Sequence, residues 1–212
     1  MKRDNLHFNW NGQLGHQKTW NFVIGSRESG KSVDSWMHLY NAFIRKKRPS
    51  IVLRRRVADM TTAYIEDIAT LLNKFIDTPI QLVYMKGDVK SGIVDVKIAP
   101  ADEKLSAPKI KKLDTFIRII GLSVPLSRIK SMVLPNVRYI FFDEFICNTR
   151  MNEKYLREEA FAIKEIYTTY NREADSPITF LAAGNPYSVY CPQFTDLKVD
   201  TRLLKPGAFI VG

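Results

Sequence analysis

The sequence predicts an α/β fold built on a mostly parallel sheet with helices on both faces. Short apolar runs alternate along the chain with longer segments whose apolar residues recur every three to four positions, the patterns of buried strands and amphipathic helices. A glycine-rich segment joins the first apolar run to the first helical pattern. The 212 residues, 45% of them hydrophobic, suffice for one domain with a full core. Buried strands that alternate with helices favour a parallel sheet covered on both sides.

The individual elements follow in chain order from these patterns. Residues 1–18 are polar and aromatic, and we expect an irregular lead-in before one domain over 19–212. Strands are expected over 19–24, 51–53, 116–121, 137–142, 178–183 and 208–211, with two more between 80 and 99 that form a hairpin around 86–88. Helices are expected over 31–46, 57–77 and 152–171, and a lysine-rich loop over 100–114.

Residues 25–32 have the spacing of a phosphate-binding loop. Gly25 and Gly30 are followed by Lys31-Ser32, which completes the pattern G-x-x-x-x-G-K-[ST]. The glycines let the backbone turn around a polyphosphate, Lys31 adds a charge for its β- and γ-phosphates, and the Ser32 hydroxyl is a Mg²⁺ ligand. The alternative is a Gly/Ser-rich turn with an ordinary lysine. We expect ATP to contact the whole loop, namely Gly25, Ser26, Arg27, Glu28, Ser29, Gly30, Lys31 and Ser32.

A pair of acidic residues supplies the second half of this predicted site. Asp143 and Glu144 directly follow the apolar run that ends at Phe142. At the end of a strand beside the loop, Asp143 would hold Mg²⁺ and Glu144 would orient or deprotonate an attacking water. The alternative is two solvated carboxylates at a strand end. Together with the loop, the pair predicts a nucleotide-hydrolysing enzyme.

Four further polar residues are candidates for the same chemistry. Asn185 follows the strand over 178–183, where it would sense the γ-phosphate or the water, although Asn-Pro is also a common turn. Arg172 and Lys130 are candidates for a basic finger inserted into a neighbouring subunit's site, with a solvated surface charge as the alternative. Arg27, within the loop, would contact the γ-phosphate in its own subunit.

The charge of the chain predicts a polyanionic partner. The formal net charge is +10 and the sequence pI is about 9.6, so the field attracts nucleic acid, unless the surface is merely solvated. Two basic clusters are candidate DNA contacts, and they comprise Arg54, Arg55, Arg56, Lys109, Lys111 and Lys112. The sequence has no apolar run of transmembrane length, so we expect no membrane partner.

The loop and three later segments resemble viral DNA-packaging ATPases, a family that includes the terminase large subunits. The resemblance is carried by residues 21–32, with an arginine inside the loop, by 51–55, by Gly121-Leu122-Ser123-Val124-Pro125-Leu126-Ser127 and by 134–146. The packaging ATPases of small phi-type podophages are the nearer match. The ordered set of segments is more specific than the loop, which many enzymes share.

This resemblance implies a phosphate-loop NTPase fold of the additional-strand, catalytic-glutamate type. It also implies a homo-oligomeric ring, pentameric in form, that uses ATP and Mg²⁺ to drive double-stranded DNA into a viral procapsid. The ring would dock on the portal in the host cell cytoplasm, where a structural packaging RNA can take part. Family members carry a C-terminal nuclease-like domain, which we expect to be absent from residues 1–212. The rival functions are another nucleic-acid ATPase, such as a helicase or partition motor, and a non-motor nucleotide-binding module.

Overall fold

One mixed sheet organises the computed structural model, which describes residues 8–172 and 174–205. Within these residues it contains seven strands: β1 (Trp20–Ile24), β2 (Ser50–Arg54), β3 (Ile80–Val83), β4 (Ile93–Pro100), β5 (Thr115–Gly121), β6 (Tyr139–Asp143) and β7 (Thr179–Gly184). Their order in space is β1-β7-β6-β2-β5-β4-β3. Neighbours from β1 to β5 are parallel, whereas β4 and β3 pair antiparallel at one edge. The predicted mostly parallel α/β sheet is confirmed.

A helix lies in each connection between consecutive strands, and one further helix lies before the first strand and one after the last. They are α1 (Trp10–Leu14), α2 (Lys31–Lys46), α3 (Thr62–Asn73), α4 (Lys86–Ser91), α5 (Ala107–Lys112), α6 (Leu126–Ser131), α7 (Glu159–Asn171) and α8 (Pro192–Asp196). Short 3₁₀ turns lie at Val57–Asp59, Thr149–Met151 and Thr201–Leu203. No helix among the described residues is long and apolar enough to cross a membrane.

Two hydrophobic cores lie on opposite faces of the sheet. Successive residues of β6 point to opposite faces, because side chains alternate along a strand. Phe141 therefore joins the core beneath α2 and α3, whereas Phe142 joins the core beneath α6, α7 and α8. Both rings are fully buried. This arrangement explains why the central strands are apolar at nearly every position, and it confirms helices on both faces.

Part of the predicted lead-in is helical. Within it, α1 packs on α2 rather than forming an irregular segment, and Trp10 is fully buried. The Trp10 amide donates to Asp34 Oδ2 at 2.6 Å, and its indole Nε1 donates to Ser35 Oγ at 2.7 Å. A five-residue helix has no periodic pattern long enough to be recognised, so only the tertiary contacts reveal it.

The predicted helix over 57–77 is shorter than its pattern suggested. A 3₁₀ turn comes first, and Thr61 then caps α3 by accepting the Tyr64 amide at 3.1 Å. At the other end, Asn73 exchanges two hydrogen bonds with Ile80, at 2.8 and 2.9 Å. The helix ends there because its last side chain is bonded to the following strand.

Three other expectations need correction. The two strands between 80 and 99 are antiparallel as predicted, but α4 joins them where a tight turn was expected. The loop expected over 100–114 contains α5, which begins with a proline in its first turn. The long helix begins at Glu159 rather than near residue 152. The strand expected over 208–211 lies outside the described residues.

Candidate active site

The glycine-rich loop lies at the carboxyl edge of three parallel strands. Ile24 at the end of β1 pairs with Gly184 at the end of β7, and Asp143 at the end of β6 pairs with Ala183. The Gly25 amide donates to the Gly184 carbonyl at 3.2 Å. The loop therefore starts where three strand ends meet, the usual position of ligand clefts in open α/β sheets.

The loop turns into α2 through a left-handed residue. Gly30 has φ 83°, which an L side chain rarely adopts. The first turn of the 16-residue helix α2 follows at once. Its free amides and positive dipole end face the loop, an arrangement that favours a bound anion.

Lys31 is folded back into the loop. Its Nζ donates to the Gly25 carbonyl at 2.8 Å, to the Ser26 carbonyl at 2.6 Å and to Ser29 Oγ at 3.0 Å. The residue is 7% exposed. Burial lowers the pKa of its ammonium, and the nearby Asp143 carboxylate partly opposes that shift. The ammonium therefore lies at the centre of the loop, where a phosphate oxygen would replace these neutral acceptors.

Ser32 and Asp143 meet across the sheet edge. Ser32 Oγ donates to Asp143 Oδ1 at 3.2 Å, although 111 residues separate them in sequence. Burial and the neighbouring Glu144 raise the pKa of Asp143 to about 6, while Arg54 and the Ser32 hydrogen bond oppose the shift. A hydroxyl and a carboxylate are the oxygen ligands that Mg²⁺ prefers. These two atoms fit the predicted magnesium ligands.

Glu144 projects from a turn at the end of β6. Its φ is 57°, a left-handed conformation for a residue with a side chain. The side chain is 62% exposed, and Oε2 lies 3.5 Å from a terminal nitrogen of Arg54. Arg54 in turn stacks its guanidinium over the Tyr64 ring at 4.5 Å. Glu144 is thus held beside the loop by a single long ionic contact, and most of its carboxylate is free to reach solvent.

A cleft of about 300 Å³ connects these groups. Its walls include nine residues that sequence analysis selected: Arg27, Glu28, Ser29, Gly30, Lys31, Ser32, Asp143, Glu144 and Asn185. Gly25 and Ser26 lie behind them and present their carbonyls to Lys31. The cleft therefore collects the predicted nucleotide loop, the acidic pair and the strand-end asparagine in one place.

Arg27, one of the residues that line this cleft, is hydrogen-bonded to Tyr187. An Arg27 guanidinium nitrogen donates to the Tyr187 hydroxyl at 2.9 Å, which links the loop to the segment after β7. This contact is the main cause of a raised pKa for the Arg27 guanidinium. No local pattern in the sequence identifies Tyr187, because 160 residues separate it from Arg27 and it is an exposed tyrosine in a turn.

The two candidate finger residues lie away from this cleft. Arg172 follows the last turn of α7, which leads back to the amino end of β7. It therefore lies near the amino ends of the parallel strands, whereas the loop lies at their carboxyl ends. It is exposed. Lys130 is on α6 and forms an ion pair with Glu165 of α7. Neither completes the site of its own subunit.

The first basic cluster is largely turned inward. Arg55 Nε donates to Glu159 Oε2 at 2.8 Å, and another nitrogen donates to the Phe145 carbonyl at 2.8 Å. Its side chain is 10% exposed and that of Glu159 is fully buried. Arg54 contacts Glu144 and Tyr64, so only Arg56 of the three is exposed. The second cluster lies on and around α5, and its members Lys109, Lys111 and Lys112 are exposed.

The fold and the site together define a mixed α/β domain with a candidate nucleotide-binding cleft at the carboxyl edge of its parallel strands. The family described as podovirus DNA encapsidation protein (Gp16) matches residues 2–202. The chain belongs to this family.

Individual relatives are consistent with the family match. The DNA packaging proteins of Bacillus phages phi29 and PZA are each 28% identical over 196 residues, which are 89% of this chain and 49% of the relative. The chain thus spans about half the length of these curated relatives.

Two solved structures are also similar. One is the N-terminal domain of the phi29 DNA packaging ATPase, with TM-score 0.67, 27% identity and coverage of 92% of this chain and 87% of that chain. The other is from the phi29 viral genome packaging motor assembly, with TM-score 0.65, 28% identity and coverage of 93% and 53%.

Proposed function

We propose that this chain is the ATP-hydrolysing domain of a motor that translocates double-stranded DNA into a viral procapsid. The observation that carries the proposal is the contact between Ser32 and Asp143, with Lys31 and Glu144 on either side. Hydrolysis of a polyphosphate requires these groups together: an anion cradle, metal ligands and a base. Similarity to the N-terminal domain of the phi29 packaging ATPase supports the motor role.

Each residue of the candidate site has a separate role in the proposed hydrolysis. Loop amides and Lys31 would hold the β- and γ-phosphates, with Lys31 exchanging its carbonyl contacts for phosphate oxygens. Mg²⁺, held by Ser32 and Asp143, would neutralise charge on the phosphate oxygens. Glu144 would accept a proton from a water whose oxygen bonds to the γ-phosphorus. The bond to the β–γ bridging oxygen breaks, and ADP leaves with the electron pair.

The strand order favours the additional-strand, catalytic-glutamate type of phosphate-loop fold. In that type, one strand separates the strand that carries the loop from the strand that carries the acids. Here β7 lies between β1 and β6. Asn185 follows β7 and lines the cleft, where its amide would contact the γ-phosphate or the attacking water. The ATPase domain would begin near residue 19, and α1 of the preceding segment packs against α2.

A ring of copies would complete the site, and we propose a pentamer docked on the procapsid portal in the host cytoplasm, with a packaging RNA as a further partner. Arg172 lies near the amino ends of the parallel strands, away from the site of its own subunit, and this position suits a basic residue that would enter the site of another subunit. Lys130 would first have to leave Glu165. Mixing Lys31→Ala with Arg172→Ala subunits tests this assignment. Turnover above the sum of the separate variants supports a finger in trans, and full turnover by Arg172→Ala alone contradicts it.

DNA contact is assigned to the exposed lysines on α5. A phosphate contact requires only an accessible charge, and Lys109 has a side chain that is 66% exposed. Replacing Lys109, Lys111 and Lys112 by alanine should weaken DNA binding. It should also reduce the slope of log affinity against log salt concentration by about one for each lysine that contacts a phosphate. Unchanged affinity and salt slope would show that this cluster is only a solvated surface.

Displacement of a triplex-forming strand from linear DNA tests the motor function. The chain should displace the third strand when ATP is present, and Lys31→Ala should not. ATP hydrolysis without displacement would favour a different nucleic-acid ATPase, because the chemistry would occur without translocation. Nucleotide binding without hydrolysis would favour a non-motor module.

A further inference from the structure

A second cavity lies on the other side of the acidic pair. It has a volume of about 270 Å³ and shares Asp143 and Glu144 with the first cleft. The remaining lining residues are Arg54, Arg55, Arg56, Asp59, Glu153 and Lys154. The two cavities are therefore separated by the side chains at the end of β6, beside which the γ-phosphate of a bound nucleotide would lie.

The cations of this second cavity have unused donors, whereas its other acids are occupied. Arg56 and Lys154 are exposed and form no ion pair among the described residues. Asp59 accepts the Arg56 amide at 3.0 Å, and Glu153 accepts the Asn148 amide at 2.6 Å. The donors left over would suit a small oxyanion.

One of the two side chains between the cavities, Glu144, is weakly held. Glu144 is 62% exposed, and its carboxylate is held by the 3.5 Å contact with Arg54. A single contact of this length to a mostly exposed carboxylate contributes little to stability. Rotation of the Glu144 side chain would therefore join the two cavities at low energetic cost, without movement of the sheet.

We propose that the second cavity is the exit path for orthophosphate formed at the first site. This inference rests on the proposed ATP hydrolysis. The loop and Lys31 would retain ADP in the first cleft, so phosphate that leaves first needs another opening. One opening beside the acidic pair is the second cavity, whose cations include Arg54, Arg56 and Lys154. A duplex is a poorer occupant, because the side chains of Arg54 and Arg55 are only 14% and 10% exposed.

A single-turnover experiment on the full chain with linear double-stranded DNA tests the exit. Acid quenching measures ATP cleavage, and a fluorescent phosphate-binding protein measures orthophosphate release. The double variant Arg56→Gln with Lys154→Gln removes two cations of the path. The double variant Arg45→Gln with Lys46→Gln is the matched control, because it also removes one arginine and one lysine, in the last turn of α2 about 20 Å from the loop along the helix.

We expect the Arg56→Gln, Lys154→Gln variant to cleave ATP at the wild-type rate and to release phosphate about tenfold more slowly, since the second cavity then attracts the anion less strongly. Release as fast as in the Arg45→Gln, Lys46→Gln control overturns the exit while leaving the proposed hydrolysis intact. Equal slowing of cleavage and release also overturns it, because the cations would then act in chemistry. Weaker DNA binding with unchanged release would assign these cations to DNA. Failure of the wild-type chain to cleave ATP would overturn the proposed function itself.

Discussion

Replacing Arg55 by methionine should destabilise the domain rather than selectively weaken DNA binding. Arg55 donates to both carboxylate oxygens of Glu159, at 2.8 and 3.2 Å, and to the carbonyls of Phe145 and Glu144, at 2.8 and 3.2 Å. The Glu159 side chain is fully buried. Removing the arginine leaves that carboxylate with the Gln193 amide and the Leu156 backbone amide as its remaining donors.

The expected loss follows from the burial of Glu159. Breaking a buried ion pair from one side typically costs about 3–5 kcal/mol. With a urea dependence of about 3 kcal/mol/M for a domain of this size, the unfolding midpoint should fall by about 1–1.7 M. Urea titration followed by circular dichroism measures the shift. ATP turnover should fall as well, because Arg55 also holds the backbone carbonyl of Glu144.

Two further variants make this experiment decisive. Arg56→Met removes an exposed neighbouring charge and should change the free energy of unfolding by less than about 0.5 kcal/mol. Adding Glu159→Gln to Arg55→Met should recover part of the lost stability, since a neutral amide is easier to bury. If Arg55→Met unfolds at the same urea concentration as Arg56→Met and instead loses DNA affinity, the inward role of Arg55 is wrong.

Two other substitutions test the packing of Gly184 at the end of β7 and the contact between Arg27 and Tyr187. Gly184→Ala should lower the free energy of unfolding by about 1–3 kcal/mol, because its Cβ would lie 2.8 Å from the buried Phe145 ring. The control in the same urea titration is Gly87→Ala in α4, where an added Cβ meets nothing within 4 Å, and it should leave the free energy of unfolding unchanged or raise it. Equal free energies of unfolding for the two variants would contradict the close contact between Gly184 and Phe145. Tyr187→Phe should raise KM for ATP about threefold in steady-state assays, because a freed Arg27 must be ordered on binding. An unchanged KM would mean that the bridge does not position Arg27.

The sequence was sufficient for those parts of the site that depend on local pattern. The strand, loop and helix over residues 20–46 appear where expected, since glycine spacing and apolar periodicity are short-range signals. Asp143 was placed correctly for the same reason, as it directly ends an apolar strand.

The remainder depends on contacts between distant residues. Arg54 meets Glu144 across 90 positions, and Arg55 meets Glu159 across 104. From sequence alone, three consecutive arginines predict an exposed basic surface. Their actual directions follow from β2 lying beside β6, which no local pattern reveals. The second cavity was not predictable for the same reason.

We propose that the loop over residues 25–32 and the acidic pair Asp143-Glu144 form one hydrolytic site. Steady-state ATP turnover by Glu144→Gln, with nucleotide affinity measured in parallel by a fluorescent ATP analogue, tests it most directly. Turnover should fall by about 10²- to 10⁴-fold, the usual contribution of a general base, with nucleotide affinity nearly unchanged. Wild-type turnover by Glu144→Gln would contradict the claim.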